Sequence, residues 1–204
     1  MSDTTTNFDF NDAGEQRIFD VIPANTIVTV RLTIRPGGAG DDGWLKRAAD
    51  GASEHLDCEF FVMDERFDGK KYKKKFYQPY TMRGTTDGHA EASRISRDMV
   101  KAMLESAHGF RPDDKSEAAQ NARKISSWAD LDQLRFVVRL GVRPPQGSYP
   151  AKNTILEVIT PNRQEWERPE QISAKSANGG GSSAPPTSTP PAGSITRPAW
   201  GQGR

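Results

Sequence analysis

The stretch NTIVTVRLTIR, residues 25–35, decides the reading of the fold. Val28, Val30, Leu32 and Ile34 take every second position, with Thr29, Arg31, Thr33 and Arg35 between them. Side chains of an extended chain alternate between two faces, so a period of two marks a strand with one apolar and one polar side. Three of the four apolar residues are β-branched, which suits the extended backbone.

Other stretches repeat the pattern. HLDCEFFVM (residues 55–63) turns Leu56, Cys58, Phe60 and Val62 inward. In KYKKKFYQPY (residues 71–80) basic and aromatic residues mix, and the preceding Asp68-Gly69 pair is a natural hairpin turn. LRFVVRLGVRP (residues 134–144) sets Phe136, Val138, Leu140 and Val142 against Arg135, Val137, Arg139, Gly141 and Arg143, and NTILEVITP supplies a last strand. Between the third and fourth strands the period changes. Residues 87–109 place Ala92, Ile95, Met99, Met103 and Ala107 at helical spacing, with Gly109 at the C-cap. A short helix is expected to begin at Asp114, capped by it and boxed by Glu117, and a further turn carries Trp128 and Leu131.

Three strands, a helical block and two strands predict a mainly β protein with inserted helices: a five-stranded OB-type barrel with its helical element between strands 3 and 4. An open β-sandwich or another small barrel gives the same string. The 204 residues suffice for one domain with a core. From about Pro169 the chain becomes rich in Gly, Ser, Pro, Ala and Thr, too poor in apolar surface to offset the entropy of ordering. The expected organisation is a disordered stretch over 1–7, a domain over 8–168 and a disordered tail over 169–204. Ile195 and Trp200 in that tail are more apolar than a linker needs, and Trp200 is a candidate docking residue for a partner protein.

The formal net charge is only +1, and Lys175, Arg197 and Arg204 lie beyond the last acid, Glu170. Bulk charge therefore gives nucleic-acid binding no support, and its case rests on where charges sit. If the apolar positions face a core, Arg31 and Arg35, Lys73, Lys75 and Tyr77, and Arg135, Arg139 and Arg143 share the outer face. Asp57 and Glu59 interrupt it, and an ordinary charged face of ion pairs is the competing reading. Phosphates on a single strand call for a cationic track, and unstacked bases call for aromatic faces. Tyr77, Tyr80 and Trp44 are the aromatic candidates, with Tyr72 beside them. Lys71 belongs to the same basic stretch, and Lys46 and Arg47 can reach the groove from the Gly-rich loop after the first strand.

Other chemistry finds little footing. GAGDDG (residues 38–43) fits a dinucleotide fingerprint in letters but leads into a strand where that motif needs a helix. His55, His89 and His108 lack metal-ligand spacing, lone Cys58 falls in the inward phase, and no catalytic constellation is visible. No cofactor, metal or enzymatic activity is expected. The lone cysteine fits a reducing compartment, and neither an export signal nor a membrane span is read.

With these elements in order, residues 8–166 resemble a family of small phage and prophage proteins. The likeness is carried by VIPANT, FDGKKYKKKF and YPAKNTILEVI. Members are regarded as OB-fold single-stranded DNA-binding proteins of phage replication and recombination modules. The resemblance implies a non-enzymatic protein that coats single-stranded DNA in the bacterial host cytoplasm, with the lysines of KKYKKKFY and the arginines of LRFVVRLGVR near the DNA. It also implies replication or recombination partners for the tail, and homo-oligomerisation is compatible with it. Bacterial single-stranded DNA-binding proteins typically end in an acidic tail, whereas no Asp or Glu follows Glu170 here. The alternative is a structural or adaptor protein whose basic face meets an acidic protein.

Overall fold

The computed structural model describes residue 11, residues 13–16 and residues 18–170. The chain divides into two units, Met1–Ile172 and Ser173–Arg204, and all described residues lie in the first. Trp200 therefore falls outside the described residues.

The elements are β1 (Ile27–Arg35), β2 (Lys46–Arg47), β3 (Ser53–Val62), β4 (Lys75–Gly84), α1 (Asp87–His108), α2 (Glu117–Ala122), a 3-10 turn (Trp128–Leu131), β5 (Arg135–Arg143) and β6 (Lys152–Ile159). They form one antiparallel sheet of six strands, not five. β2 is the addition, pairing Lys46 with His55 and Arg47 with Glu54 on the edge of β3 that β1 occupies further along. The longer strands run β4-β3-β1-β5-β6.

The core follows the predicted parity on β1 and β3, whereas on β5 Val137, expected to face outward, is buried beside α1, its N–H donating to Ser106 Oγ. Val28, Val30, Leu32 and Ile34 of β1 and Leu56, Cys58, Phe60 and Val62 of β3 are all at most 3% exposed. Phe60 is the hub, stacked on Phe76 at 5.3 Å and edge-on to Tyr80 and Phe136 at 6.3 and 6.2 Å. Each buried ring contributes about 1.5–3 kcal/mol by leaving water. Tyr80, expected to face outward, is thus a core residue. It stands an odd number of positions from Tyr77, so on a regular strand the two rings point to opposite faces.

Helix α1 differs from expectation in the face it buries. Met103 and Ala107 are buried as predicted, but Ile95 is 52% exposed, while Ser93, Ser96, Val100 and Leu104 are buried instead. Ser93 and the equally buried Ser106 complete backbone bonding. Ser93 Oγ donates to the Met82 carbonyl of β4, and Ser106 Oγ accepts from Val137 N of β5. Thr86 caps the N-terminus, and Gly109 ends the helix with φ 79°, a left-handed conformation glycine adopts without steric cost. At α2 the cap is Ser116, not Asp114. The Asp114 carboxylate accepts from Ser116 N and shapes the turn before the helix.

The sheet does not close. No ladder joins β4 to β6 among the described residues, and amide side chains bridge the gap instead. Gln78 of β4 accepts from Ile155 N of β6 at 3.0 Å, while its amide donates to the Tyr80 hydroxyl. Nearer one end, the segment around Asp20 fills the gap. It pairs in parallel with Tyr72, exchanging bonds with Lys71 and Lys73. On its other side, buried Asn153 accepts from Ile22 N at 2.9 Å and donates to the Ile22 carbonyl at 2.7 Å. One amide side chain thus stands in for a strand partner.

Asn153→Leu removes that partner at nearly constant volume and strands two buried backbone groups of Ile22. Urea unfolding should show a loss of about 2–4 kcal/mol. A cost under 0.5 kcal/mol would mean that Asn153 does not close the gap.

Candidate nucleic-acid interface

The outer face of the sheet is divided by the carboxylates of β3. Asp57 is held by both Arg35 guanidinium bonds, at 2.7 and 2.8 Å, and lies 3.5 Å from Lys46. Glu54 pairs with Arg47 at 3.0 Å and Arg83 at 3.9 Å, and Glu59 pairs with Lys75 at 2.9 Å. Burial by itself raises the Asp57 carboxyl, but the Arg35 bond and charge, aided by Lys46, bring it below its ordinary value. Glu59 is lowered first by the Tyr77 hydroxyl and then by Lys75. Arg35 also lies over the Tyr77 ring at 4.5 Å, so one aromatic face there is already taken.

The arginines of β5 separate. Arg139 is bound by Glu157 at 3.4 Å and Glu165 at 3.3 Å, and Arg135 donates to the Glu170 carbonyl. Glu157 lies on β6, and the other two contacts come from the chain after it, which returns along β5 with the Trp166 indole donating to the Ser106 carbonyl. Buried Pro169 and bound Glu170 carry the ordered body past the boundary at 168 that composition suggested. Trp44 leans on the core, half-buried, and its loop is latched by Asp42, which accepts from Ser127 Oγ and Trp128 N.

One row across the sheet has no acid in it. Arg135, Arg31, Phe61 and Lys75 are consecutive cross-strand neighbours on β5, β1, β3 and β4. Like charges directly opposite destabilise a sheet. Arg31 has no carboxylate partner among the described residues; its Nε is shut from solvent without a hydrogen bond, and its guanidinium lies 5.5 Å from the Phe61 ring. Lys74 Nζ approaches the same ring at 5.4 Å.

The row leads to the gap between β4 and β6, where three concavities meet. Phe19, Phe61, Tyr72 and the stems of Lys73, Lys74 and Lys75 enclose a groove of about 450 Å³. A narrow slit of about 90 Å³ follows, between Lys73 and Lys75 on one wall and Lys152 and Asn153 on the other. Beyond it Arg143, Tyr149 and Lys152 line a hollow of about 390 Å³. Lys73 borders all three. Among the described residues Lys71, Lys73, Arg143 and Lys152 form no salt bridge, and Lys71 rests 5.2 Å from the Tyr72 ring. Tyr149, 76% exposed, stands at the tip of the β5–β6 hairpin, where Gly147 takes φ 58° in the turn.

Of the residues expected to form a site, Arg31, Lys71, Lys73, Lys75 and Arg143 converge here, with Tyr72. Arg35, Lys46, Arg47 and Arg139 are tied to acids elsewhere on the face, Trp44 packs on the core, and Tyr80 is inside it. Phe19, Phe61, Tyr149 and Lys152 were not anticipated. Phe61 was legible, since it shares the outward phase of Asp57 and Glu59. Lys152 becomes relevant only once β6 lies across the gap from Lys73.

Comparison of the sequence with protein-family models gives no match. A search of curated proteins gives none either.

Because folding depresses the Asp57 and Glu59 carboxyls, their contribution is complete above the unfolded carboxylate pKa and is lost as pH falls through the folded values. Urea midpoints of the wild type should therefore decline below about pH 4. The D57N/E59Q double variant should decline less over that range, and equal declines would show that these pairs carry no stability.

Proposed function

We propose that the protein binds single-stranded DNA along the path from Phe61 through Lys73 to Arg143 and Tyr149. One observation carries this reading. Lys71, Lys73, Arg143 and Lys152, which form no salt bridge among the described residues, gather with half-exposed and exposed aromatic rings around the β4–β6 gap, whereas Arg35, Lys46, Arg47, Lys75 and Arg139 are paired with carboxylates. Phosphates can take the places that acids fill elsewhere, and bases can stack on Phe61, Tyr72 and Tyr149. Flat aromatic contacts favour unpaired bases, which a duplex keeps stacked inside. Binding is non-catalytic and has little sequence preference, since backbone charge and ring faces do not distinguish bases.

The same reading takes the sheet as an OB-type barrel opened at one seam. Its support is the strand order β4-β3-β1-β5-β6, with α1 between β4 and β5. The resemblance of residues 8–166 to phage and prophage proteins favours a place in replication or recombination within a bacterial cytoplasm, with Trp200 the candidate docking residue for a partner protein.

Anisotropy titration of a labelled oligothymidylate should show affinity falling with salt, at a log–log slope of about −0.7 per neutralised phosphate. The K73A/R143A/K152A triple variant should flatten that slope by about 2. Tyr149→Ala should lose about 1–3 kcal/mol if one base stacks on it. Arg35→Ala should change little. Absence of binding at low salt sinks the proposal, and tighter binding to duplex removes its single-strand part. An adaptor for an acidic protein would instead keep its partner in excess oligonucleotide.

A further inference from the structure

Beyond the cations of the gap, one more outward cation stands without an acid. Arg31 lies on β1, the middle of the five long strands, and forms no salt bridge among the described residues, whereas Arg35 on the same strand face is held by Asp57. Its surroundings oppose it. Arg135 is its direct neighbour on β5 and Phe61 on β3, and Lys75 comes next along the row on β4. Lys75 is raised above its ordinary value by the Glu59 hydrogen bond and charge, against an opposing push from Arg31. The Arg31 Nε is also cut off from water without an acceptor. A cation beside like charge, with a desolvated donor, is costly until an anion joins it.

We infer that Arg31 and Arg135 form a phosphate subsite on the outer face of the sheet, which holds one phosphodiester of a strand that runs on from the gap over Phe61. This rests on the single-stranded DNA reading above and extends it, since the strand leaves the gap at the groove and crosses β3 to reach β1. Three features select a phosphate. A guanidinium presents a planar fork of donors that matches two phosphate oxygens, and Arg135 is steadied by its bond to the Glu170 carbonyl. The row itself holds no carboxylate, so at Arg31 no internal anion has to be displaced. Phe61 joins the two sites, because its ring borders the groove and carries the Arg31 guanidinium at 5.5 Å. Two strand spacings, about 10 Å, separate the Arg31 and Lys75 positions, a distance that an extended nucleic-acid backbone covers without turning.

The test uses the full chain. Arg31→Gln removes the charge, Arg31→Lys keeps the charge and loses the fork, and Arg94→Gln, on the exposed side of α1, removes an equal charge elsewhere. Thermal unfolding in inorganic phosphate, with ionic strength held constant by chloride, should show the melting temperature rising in wild type and Arg94→Gln, and rising no more than half as far in Arg31→Gln. With a labelled oligothymidylate, Arg31→Gln should weaken binding about tenfold at low salt and flatten the log–log slope by about 0.7. Arg31→Lys should keep the slope and lose part of the affinity. Equal phosphate responses in Arg31→Gln and wild type overturn the proposal, as do losses in Arg94→Gln that match those in Arg31→Gln, which report net charge only. A lost phosphate response with unchanged oligonucleotide binding overturns the crossing strand. Should Arg31→Gln not fold, Arg31→Lys decides, and unchanged affinity together with an unchanged phosphate response there overturns the subsite. If no chain binds the oligonucleotide, the DNA-binding reading fails, while a phosphate response that depends on Arg31 still establishes the anion site.

Discussion

Two strands that face one another without a ladder set the terms for the rest of this structure. β4 and β6 each leave backbone groups along an edge, and an unpaired edge is costly when buried and a hazard when exposed. The molecule answers with two amide side chains and a short inserted segment. Gln78 reaches across to Ile155, and Asn153 satisfies both backbone groups of Ile22. An amide suits this task because it offers a donor and an acceptor together, as a peptide group does. Pro79 lies on β4, where its missing N–H is tolerated at an edge.

The seam also creates the candidate site. A closed barrel would bring β4 and β6 to ladder spacing and fill the slit between them. Held apart, they leave a channel whose walls carry Lys73, Lys75 and Lys152. The sheet elsewhere has neutralised itself. Each outward carboxylate of β3 takes cations from the strands beside it, so a face that is basic by count is a lattice of pairs by geometry. Such exposed pairs contribute little stability individually, but they decide which cations remain available to a ligand. Apart from Arg31, those left over are at the strand ends and on the β5–β6 hairpin.

Much of the fold was legible. Alternation in residues 25–35 and 55–63 placed eight core residues correctly, because burying one face of a strand forces period two on its sequence. The Gly109 cap and a turn at Asp68-Gly69 rest on local backbone chemistry and need no distant partner, although that turn lies inside a longer connection, residues 63–74, and β4 begins only at Lys75. The face of α1 was harder. Its apolar stripe through Ile95 competes with serines whose burial pays off only in bonds to β4 and β5, and no helical pattern announces those. Tyr80 was misplaced although parity with Tyr77 already put it inside. The error came from reading composition where phase should have ruled.

The sequence alone determined which side chains β1 and β3 turn inward, where α1 runs and where its C-cap falls, and that arginine and lysine are concentrated in the outward phase. Those are consequences of backbone geometry acting over a few residues. Only the tertiary structure decided which of these cations have partners, because pairing depends on register between strands and on a chain that returns from residue 160 to 170 over β5. It likewise decided that Phe61, Lys73, Lys152 and Tyr149 border one connected path. Their proximity comes from the curl of the sheet around its open seam, a distance that no local spacing encodes.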